Sequence, residues 1–377
     1  MGKNIRVGLT HGDFNGVGYE VIVKALADEK IPELFTPVVF GSQKLFEKAR
    51  KDFVEEFPPV EYIKDVSQAR DGKVNVVDLR LGDLPLTPGI PTPDSGEAAV
   101  AALEAAVEAV MEGEIDVIVT APISKAAVQS DKFHFPGHTE YLEAKCRKDY
   151  TAEDSVETAK EVLDYKAQMI LFDDYLRVAL VTTHLPVSGI SEAITKQKVL
   201  DSIERLDKVL RSDFGCERPR IAVLSLNPHC GDDGLLGSEE KDRIIPAIAE
   251  ADRKGILVFG PYAADGFFAT GGYRRFDGVL AMYHDQGLAP FKALAGENGV
   301  NFTAGLPFIR TSPDHGTAYD IAWKGEADAT SMREAIYKAI DIRRNRERYR
   351  RASFNPLRKA KVERVQDKTV DLTKETL

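Results

Sequence analysis

The sequence predicts an α/β protein built on a parallel β-sheet. Short apolar runs alternate along the chain with segments of helical periodicity, which is typical of strand-helix-strand units. The clearest run is Val279–Met282, a buried strand that ends abruptly in Tyr283, His284 and Asp285 before a turn at Gly287. Ligands bind beyond the carboxyl ends of parallel strands, so this strand end is expected to carry chemistry.

Composition limits the class of protein and of partner. The 377 residues suffice for two domains or for one large two-lobed unit with an ample core. A hydrophobic content of 43% and a charged content of 29% are ordinary for a globular protein, so neither disorder nor a fibrous class is favoured. The formal net charge of -10 repels nucleic acid but leaves room for a local basic pocket that binds one small phosphorylated ligand.

Cysteine usage and the N-terminus predict a soluble cytoplasmic protein. Cys146, Cys216 and Cys230 are too few and too scattered for a disulfide framework or a Cys-rich zinc site, which fits a reducing compartment. The first residues lead into a strand without an apolar signal core, and no run approaches the roughly 20 apolar residues of a membrane-spanning helix.

The first predicted unit is a strand, Ile5–Leu9, followed by the Gly-rich loop Thr10–Glu20 and the helix Val21–Ala27. The glycines of this loop permit a tight turn with exposed backbone amides that could bind an anion. Their spacing is not G-x-G-x-x-G, so a Rossmann fingerprint is not supported, and glycine used only for turning is the simpler interpretation. A second strand, Val38–Gly41, and a helix through Ala49 follow.

Polar residues follow the next predicted elements. A Pro- and Gly-rich stretch, Leu84–Gly96, precedes the Ala-rich helix Gly96–Met111. The strand that starts at Asp116 ends in a turn that delivers Ser124 and Lys125 to the rim of the sheet.

The segment Pro136–Glu140 suits a polar ligand. His138 can share a proton, and Thr139 can both donate and accept a hydrogen bond. The same residues could instead cap a helix that begins at Glu140.

The charged segment Asp149–Asp164 is interpreted as a surface insertion. The remaining elements are the strand Val178–His184, helices over Ser191–Arg211, the strand Ile221–Leu226, the acidic Gly-rich loop Asn227–Glu240 and the strand Val258–Asp265.

Three of the predicted strands end in a histidine, namely His184, His229 and His284. The gaps of 45 residues (229 − 184) and 55 residues (284 − 229) exclude a zinc finger or a helical H-E-x-x-H motif. Strand ends can still converge in space, and three neutral imidazoles with an open fourth position are what a catalytic zinc requires. Separate hydrogen-bonded histidines are the alternative.

A set of cationic and amide side chains follows His284. Lys292, Asn301 and Arg310 provide a point charge, an amide and a guanidinium fork, which together suit a phosphate group. Ordinary surface contacts of each side chain are the alternative interpretation.

Seven short motifs occur in order along the chain: Gly137–Glu140, Thr183–Pro186, Asn227–His229, Gly237–Glu240, Tyr283–Gly287, Gly305–Pro307 and Arg310–Ala318. Together they resemble the 4-hydroxythreonine-4-phosphate dehydrogenase family of pyridoxal 5′-phosphate biosynthesis. The resemblance runs from Val7 to about Ala335 and covers most of the chain.

The resemblance implies an isocitrate/isopropylmalate dehydrogenase-like α/β fold with two lobes, a mainly parallel sheet and a non-Rossmann dinucleotide site. It also implies a homodimer with active sites at the subunit interface, NAD or NADP as cofactor, and one divalent metal (Zn, Mg or Co). The matching positions are His184, His229 and His284 for the metal, His138, Thr139, Lys292, Asn301 and Arg310 for the substrate, and His315, Gly316, Thr317 and Ala318 for the cofactor.

The implied reaction is oxidation of 4-phosphooxy-L-threonine to 2-amino-3-oxo-4-phosphooxybutanoate, which decarboxylates to 3-amino-2-oxopropyl phosphate. Asp265 and Asp285 are candidates for the proton relay or for the substrate ammonium. The alternatives are a related dehydrogenase that acts on D-threonate or D-erythronate 4-phosphate or on a cis-dihydrodiol, and a three-histidine metal hydrolase or lyase. A non-catalytic sensor fits less well, because a sensor needs no open metal position.

The chain also departs from the family pattern. Phe14, Asn15 and Tyr19 replace the usual Pro, Ala and Pro of the first loop, Cys230 replaces a small residue, and Trp323 stands where glycine is common. The predicted organisation is a two-lobed catalytic unit over 1–342, with interleaved lobes and a cleft between them, and a charged C-terminal helix and tail over 343–377.

Overall fold

The computed structural model describes residues 4–130, 133–149 and 166–355, and its strands form one sheet of twelve. Their order across the sheet is β3-β4-β2-β1-β5-β12-β11-β6-β7-β10-β8-β9. The strands are β1 Arg6–Thr10, β2 Thr36–Gly41, β3 Val60–Ile63, β4 Val74–Asp78, β5 Val117–Thr120, β6 Gln168–Phe172, β7 Arg177–Leu180, β8 Arg220–Leu224, β9 Leu257–Tyr262, β10 Gly278–Ala281, β11 Val300–Ala304 and β12 Ile309–Pro313.

Neighbouring strands are parallel except around β11 and β6. Strand β11 runs antiparallel to β12 and to β6, and β6 runs antiparallel to β7. The α/β class with a mainly parallel sheet is therefore confirmed. The helices of the described chain are α1 Gly18–Ala25, α2 Ile31–Leu34, α3 Gln43–Phe53, α4 Pro93–Met111, α5 His138–Asp149, α6 Ile190–Ala193, α7 Lys196–Ser212, α8 Ile245–Arg253, α9 Ala264–Ala269, α10 His284–Ala295 and α11 Thr330–Phe354.

Both faces of the central strands are buried. Successive residues of β5 illustrate this, because Val117 and Val119 belong to one buried apolar cluster and Ile118 belongs to another. Alternate side chains of a strand point to opposite faces, so helices must cover the sheet on both sides. This explains why the strands appear in the sequence as continuous apolar runs.

Helix α4 packs unusually close to the turn after β5. Thr92 and Ser95 form a reciprocal capping box at its start. A Cβ atom on Gly96 would lie 1.9 Å from the carbonyl oxygen of Ala127, so this position admits only glycine. The Ala-rich sequence of the helix serves the same close packing.

The unusual aromatic residues of the first loop are core residues. Phe14 and Tyr19 are fully buried, and the indole Nε1 of Trp323 donates to the carbonyl oxygen of Phe14 at 2.8 Å. Trp323 has φ 60, a left-handed conformation that a bulky side chain rarely adopts. The departures at Phe14 and Trp323 thus form one contact between the first loop and the segment after β12.

Asp13 forms a second set of contacts between the first loop and the segment after β12. Its Oδ2 accepts from Tyr319 Oη at 2.7 Å and from Ser95 Oγ at 2.9 Å, while the amide of Val17 donates to Thr317 O at 3.1 Å. The loop is held by hydrogen bonds on both sides, so its shape is well determined despite the altered sequence.

His11 makes stability depend on pH. Its ring is fully buried, stacks on Tyr19 with centroids 4.8 Å apart, and has no hydrogen-bond partner for its side-chain nitrogens among the described residues. Burial lowers the pKa of His11 from 6.5 to about 4. Between these two values the unfolded chain binds a proton that the folded chain does not, so stability falls as pH falls through this window.

We expect the free energy of unfolding of the wild-type protein to drop by about 2 kcal/mol more than that of His11→Phe between pH 7 and pH 5. Urea unfolding at both pH values measures this difference. The exposed His134, changed to Phe, is the control and should follow the wild type. Equal pH dependence of wild type and His11→Phe would contradict the assignment.

Some predicted boundaries differ from the observed ones. Strand β9 ends at Tyr262, so Asp265 lies in the short helix α9 and not at the end of that strand. Helix α11 runs without a break through residue 343, where the charged tail was predicted to begin. Residues 356–377 and most of the predicted insertion Asp149–Asp164 lie outside the described residues. The division into two lobes stays a prediction.

In the described part of the chain, no helix combines the length and the apolar character needed to cross a membrane.

Candidate active site

A cavity of about 380 Å³ gathers most of the predicted site residues. Its wall includes the end of β5, the start of α5, parts of β11 and β12, and the first two turns of α10. The predicted residues that line it are His138, Thr139, His184, His284, Lys292, Asn301, Arg310, His315 and Gly316. The predicted residues that do not line it are His229, Asp265, Asp285, Thr317 and Ala318.

Arg310 is the buried cation of this cavity. It is 2% exposed, and its guanidinium donates to the hydroxyls of Thr120 and Thr303, with the shortest distance 2.6 Å from Nη2 to Thr120 Oγ1. Burial lowers the pKa of Arg310 to about 9, which still leaves it protonated at neutral pH. Its hydrogen bonds go to neutral hydroxyls, so its charge lacks an anion in direct contact, and a bound phosphate would supply one.

His138 and Thr139 line the same cavity from the first turn of α5. The Nε2 atom of His138 is buried without a hydrogen-bond partner among the described residues. Burial, and then the charges of Arg310 and Lys125, hold the pKa of His138 well below its usual range, so the imidazole is neutral at pH 7. A neutral ring beside two cations can donate to or accept from an anionic ligand without adding charge.

Lys292 and Asn301 complete the polar wall. Lys292 Nζ lies 3.0 Å from Asp314 Oδ1 and also donates to the carbonyl oxygen of Asp314 at 3.1 Å. Burial raises the pKa of Asp314, and the nearby positive charge of Lys292 opposes this shift. The Oδ1 atom of Asn301 is buried without a partner in the described structure, so a ligand donor could satisfy it.

Two of the three predicted metal-ligand histidines lie side by side. The rings of His184 and His284 have centroids 6.1 Å apart. Each Nδ1 faces a carboxylate, at 3.0 Å from Glu140 Oε1 for His184 and at 2.7 Å from Asp285 Oδ1 for His284. Carboxylates in these positions favour the tautomer with the proton on Nδ1, which leaves Nε2 as the nitrogen that can bind a metal.

His229 lies apart from this pair. It is exposed, and it starts a run of left-handed residues in the loop after β8, His229 to Asp233. Within residues 4–130, 133–149 and 166–355 of the single chain, no group of three His, Cys, Asp or Glu side chains is placed to hold a metal ion. The single chain therefore brings together two of the three predicted ligands.

A second cavity, of about 260 Å³, adjoins the first and shares Asp314 and His315 with it. Its apolar wall includes Val17, Ala318 and Ile321. His315 Nδ1 donates to the carbonyl oxygen of Gly316 at 2.9 Å, while Nε2 is buried without a partner in the described chain. The predicted cofactor loop thus separates a polar cavity from a more apolar one.

Comparison with known proteins places the chain in a family. A family model described as pyridoxal phosphate biosynthetic protein PdxA matches residues 33–339. The chain belongs to the PdxA family. A PdxA-family relative, the 4-hydroxythreonine-4-phosphate dehydrogenase of Bacteroides thetaiotaomicron, is 51% identical over 97% of this chain and 96% of its own length.

One of the relatives bears a different substrate name. An Oceanobacillus iheyensis protein with the provisional name D-threonate 4-phosphate dehydrogenase is 39% identical over 91% of this chain and 99% of its own length. Among solved structures, the 4-hydroxythreonine-4-phosphate dehydrogenase of Klebsiella pneumoniae is 34% identical, with a TM-score of 0.75 over 90% of this chain and 98% of that one. Membership of the PdxA family therefore does not by itself identify the substrate, which has to be inferred from the residues of the site.

Two acidic residues that line the cavity, Glu140 and Asp314, are absent from the site residues predicted from the sequence, although Glu140 belongs to the segment Pro136–Glu140 that was expected to suit a polar ligand. Glu140 contacts His184 directly, with 3.0 Å between Glu140 Oε1 and His184 Nδ1, although the two are 44 residues apart in sequence. Asp314 pairs with Lys292 and immediately precedes the predicted cofactor loop. The sequence signal was present in both cases, because each acidic residue adjoins a histidine-containing motif, but only folding shows which partner it contacts.

Proposed function

We propose that the chain catalyses the metal-dependent, NAD(P)-linked oxidation of 4-phosphooxy-L-threonine. The product, 2-amino-3-oxo-4-phosphooxybutanoate, is a β-keto acid that loses carbon dioxide to give 3-amino-2-oxopropyl phosphate. The observation that carries this proposal is one cavity that contains both a buried guanidinium without a contacting anion, Arg310, and the paired imidazoles of His184 and His284. Membership of the PdxA family supports the same reaction.

The phosphate would occupy the cationic end of the cavity. Arg310 holds a fixed charge, Lys292 adds a mobile one, and Asn301 and Thr139 offer polar atoms around them. The neutral ring of His138 can donate one further hydrogen bond. Binding energy from this remote group would orient the hydroxyl of the substrate at the other end.

The paired histidines fit a divalent metal. Both rings have Nδ1 bonded to a carboxylate, which is one of the usual partners of a metal-binding histidine, and His229 would be the third ligand. A bound divalent ion supplies a Lewis acid that makes the substrate hydroxyl more acidic. Asp285 is 85% exposed and bonded to His284, so it remains our candidate for passing the released proton to solvent. Asp265 is exposed and would need another chain to reach the site.

The second cavity fits the adenosine part of a dinucleotide. Its apolar wall suits a base, and the unpartnered Nε2 of His315 can accept a hydrogen bond from the cofactor. A dinucleotide supplies the acceptor for the hydride that leaves C3 as the hydroxyl becomes a ketone. The loop His315–Ala318 would place the nicotinamide end toward the first cavity.

We expect NAD to be used in preference to NADP. Three carboxylates, Glu297, Asp314 and Asp328, line the second cavity, and none of its described lining residues is Lys or Arg. The 2′-phosphate of NADP would add negative charge there, so kcat/KM should favour NAD by about tenfold or more. Steady-state kinetics with both cofactors measure the ratio. Glu297→Gln should narrow the preference, whereas Glu326→Gln, outside the cavity, should leave it unchanged.

We also propose a homodimer with active sites at the interface. His229 is exposed outside the cavity, and large apolar side chains are exposed near it and near His184. Val187 is 82% exposed and Leu235 is 80% exposed, which is unusual for residues of this size unless a partner covers them. A second copy could cover these residues and bring its own His229 to the pair in the cavity.

A spectrophotometric assay for reduced nicotinamide tests the proposed reaction. We expect turnover of 4-phosphooxy-L-threonine that a chelator abolishes and an added divalent metal restores. Turnover of D-threonate 4-phosphate alone would instead support the activity for which the Oceanobacillus iheyensis relative is named. Turnover of D-erythronate 4-phosphate alone would support the other related dehydrogenase. Metal-dependent cleavage of a phosphorylated substrate without any nucleotide would favour the three-histidine hydrolase or lyase.

A further inference from the structure

Glu140 joins the two ends of the substrate cavity. It lies in the first turn of α5, two residues after His138, and its Oε1 accepts from Nδ1 of His184 at 3.0 Å. The other carboxylate oxygen, Oε2, is buried and has no hydrogen-bond partner among the described residues. The hydrogen bond from His184 is the main cause that lowers the pKa of Glu140, and burial opposes it. The carboxylate is therefore ionised at neutral pH.

The charge of Glu140 also acts on the phosphate end. It is the electrostatic influence that favours the protonated form of Arg310 against the effect of burial. Both side chains line the same cavity without a direct ion pair between them, and among the described residues the guanidinium bonds only to the hydroxyls of Thr120 and Thr303, so its charge stays available to a ligand. One carboxylate thus lies in the same cavity as two groups with different proposed roles. It bonds to the imidazole of His184, proposed to act at the substrate hydroxyl, and it favours the charged form of Arg310, proposed to bind the substrate phosphate.

The other carboxylate at the paired histidines provides a comparison. Asp285 bonds to Nδ1 of His284 at 2.7 Å, but its side chain is 85% exposed, whereas that of Glu140 is 31% exposed. Water can replace an exposed acceptor at little cost, while a half-buried acceptor on a helix is harder to replace. The two pairs therefore have the same chemistry but should differ in importance.

We propose that Glu140 is a positioning residue that fixes the orientation and the tautomer of His184, so that Nε2 is presented to a divalent metal. The presence of this metal is part of the proposed function, so this inference rests on that proposal. By holding His184 from the same helical turn that carries His138 and Thr139, Glu140 sets the separation between the metal and the phosphate.

Zinc affinity tests this role without catalysis. In competition with a chromophoric chelator, Glu140→Ala should bind Zn²⁺ about 10-fold to 100-fold more weakly than the wild type. Glu140→Gln keeps an acceptor oxygen, so its zinc affinity should fall less than that of Glu140→Ala. Asp285→Ala is the matched control and should weaken binding less than Glu140→Ala does. Zinc affinity of Glu140→Ala within about twofold of the wild type would overturn the proposal.

Two further measurements separate positioning from a general loss of structure. Long-range ¹⁵N NMR of the histidine rings should show the proton on Nδ1 of His184 in the metal-free wild type and a shift toward Nε2 in Glu140→Ala. Inorganic phosphate should bind to Glu140→Gln at least as tightly as to the wild type, because a nearby negative charge is removed. Weaker phosphate binding together with an unchanged tautomer would indicate a merely structural role and overturn the proposal.

These measurements also distinguish the two proposals from each other. A wild-type protein that binds zinc and shows the expected response to Glu140→Ala, yet produces no reduced nicotinamide, would contradict the proposed reaction alone. If the wild type binds no zinc, the metal-dependent function fails, and the tautomer of His184 then decides whether Glu140 positions it.

Discussion

Replacing Arg310 with methionine should lower kcat/KM for the phosphorylated substrate by about a thousandfold, because a buried charged contact to phosphate is lost. Methionine keeps much of the volume but removes the charge and the donors. Two effects on folding should nearly offset each other. The hydroxyls of Thr120 and Thr303 lose a donor, while the folded chain no longer buries a guanidinium without a contacting anion.

The free energy of unfolding of Arg310→Met is therefore expected to lie within about 2 kcal/mol of the wild type. Urea unfolding in the absence of phosphate measures it. Inorganic phosphate should raise the midpoint for the wild type but not for the variant, because a ligand that binds only the folded state stabilises it.

Arg346 offers a matched control in the same chain. Its guanidinium makes two bonds of 2.9 Å to the buried carboxylate of Asp213, away from the substrate cavity. Arg346→Met leaves that carboxylate without its partner and should cost about 3 kcal/mol of stability, with kcat/KM almost unchanged in the folded fraction. If Arg310→Met unfolds the chain as Arg346→Met does, or retains full activity, Arg310 is a structural residue and not the phosphate site.

Mixing two inactive variants should restore activity if subunits share the metal site. His229→Ala and His284→Ala should each lose at least about a thousandfold in kcat, because each removes one of three ligands. A mixed dimer retains one complete site when His184 and His284 come from one chain and His229 comes from the other. Random exchange makes half of the dimers mixed, so about a quarter of the wild-type activity should return.

The controls follow from the pairing of His184 with His284. A mixture of His184→Ala and His284→Ala should stay inactive, because every site then lacks a ligand from its own pair. Exchange must be promoted by brief mild denaturant and verified with subunits of two different masses. Failure of the first mixture to recover activity, after verified exchange, would mean that His229 reaches the site within its own chain or is not a ligand.

The resemblance of sequence motifs located most of the cavity, but it could not supply the contacts. His138 is more than 150 residues from Lys292, Asn301 and Arg310 in sequence, yet the four line one cavity. His138 and Lys292 lie on helices that follow the parallel strands β5 and β10, whereas Asn301 lies in the antiparallel strand β11 and Arg310 lies in β12. The number of residues between two motifs does not give the distance between their side chains in the folded protein. The 3.0 Å bond between Glu140 and His184, and the ties of the first loop to Trp323 and Tyr319, required coordinates.

Local pattern was enough for the α/β class and for the approximate positions of several strands, since apolar runs and turn residues indicate where strands lie. Exact boundaries were less accessible, as the placement of Asp265 in α9 shows, because a short helix can follow a strand without a distinct sequence signal. The roles of individual charged groups were the hardest to predict from the sequence. Burial turns Arg310 into a cation without a contacting anion and His138 into a neutral ring, and burial depends on packing between distant segments.

The sequence by itself determined the class of fold, the family and the types of residue available for phosphate and metal. Tertiary structure alone decided which of them meet: two histidines share a cavity, each with its own carboxylate, while the exposed His229 lies apart. The physical reason is that residue type sets which interactions are possible, whereas their strength depends on distance and on exclusion from water.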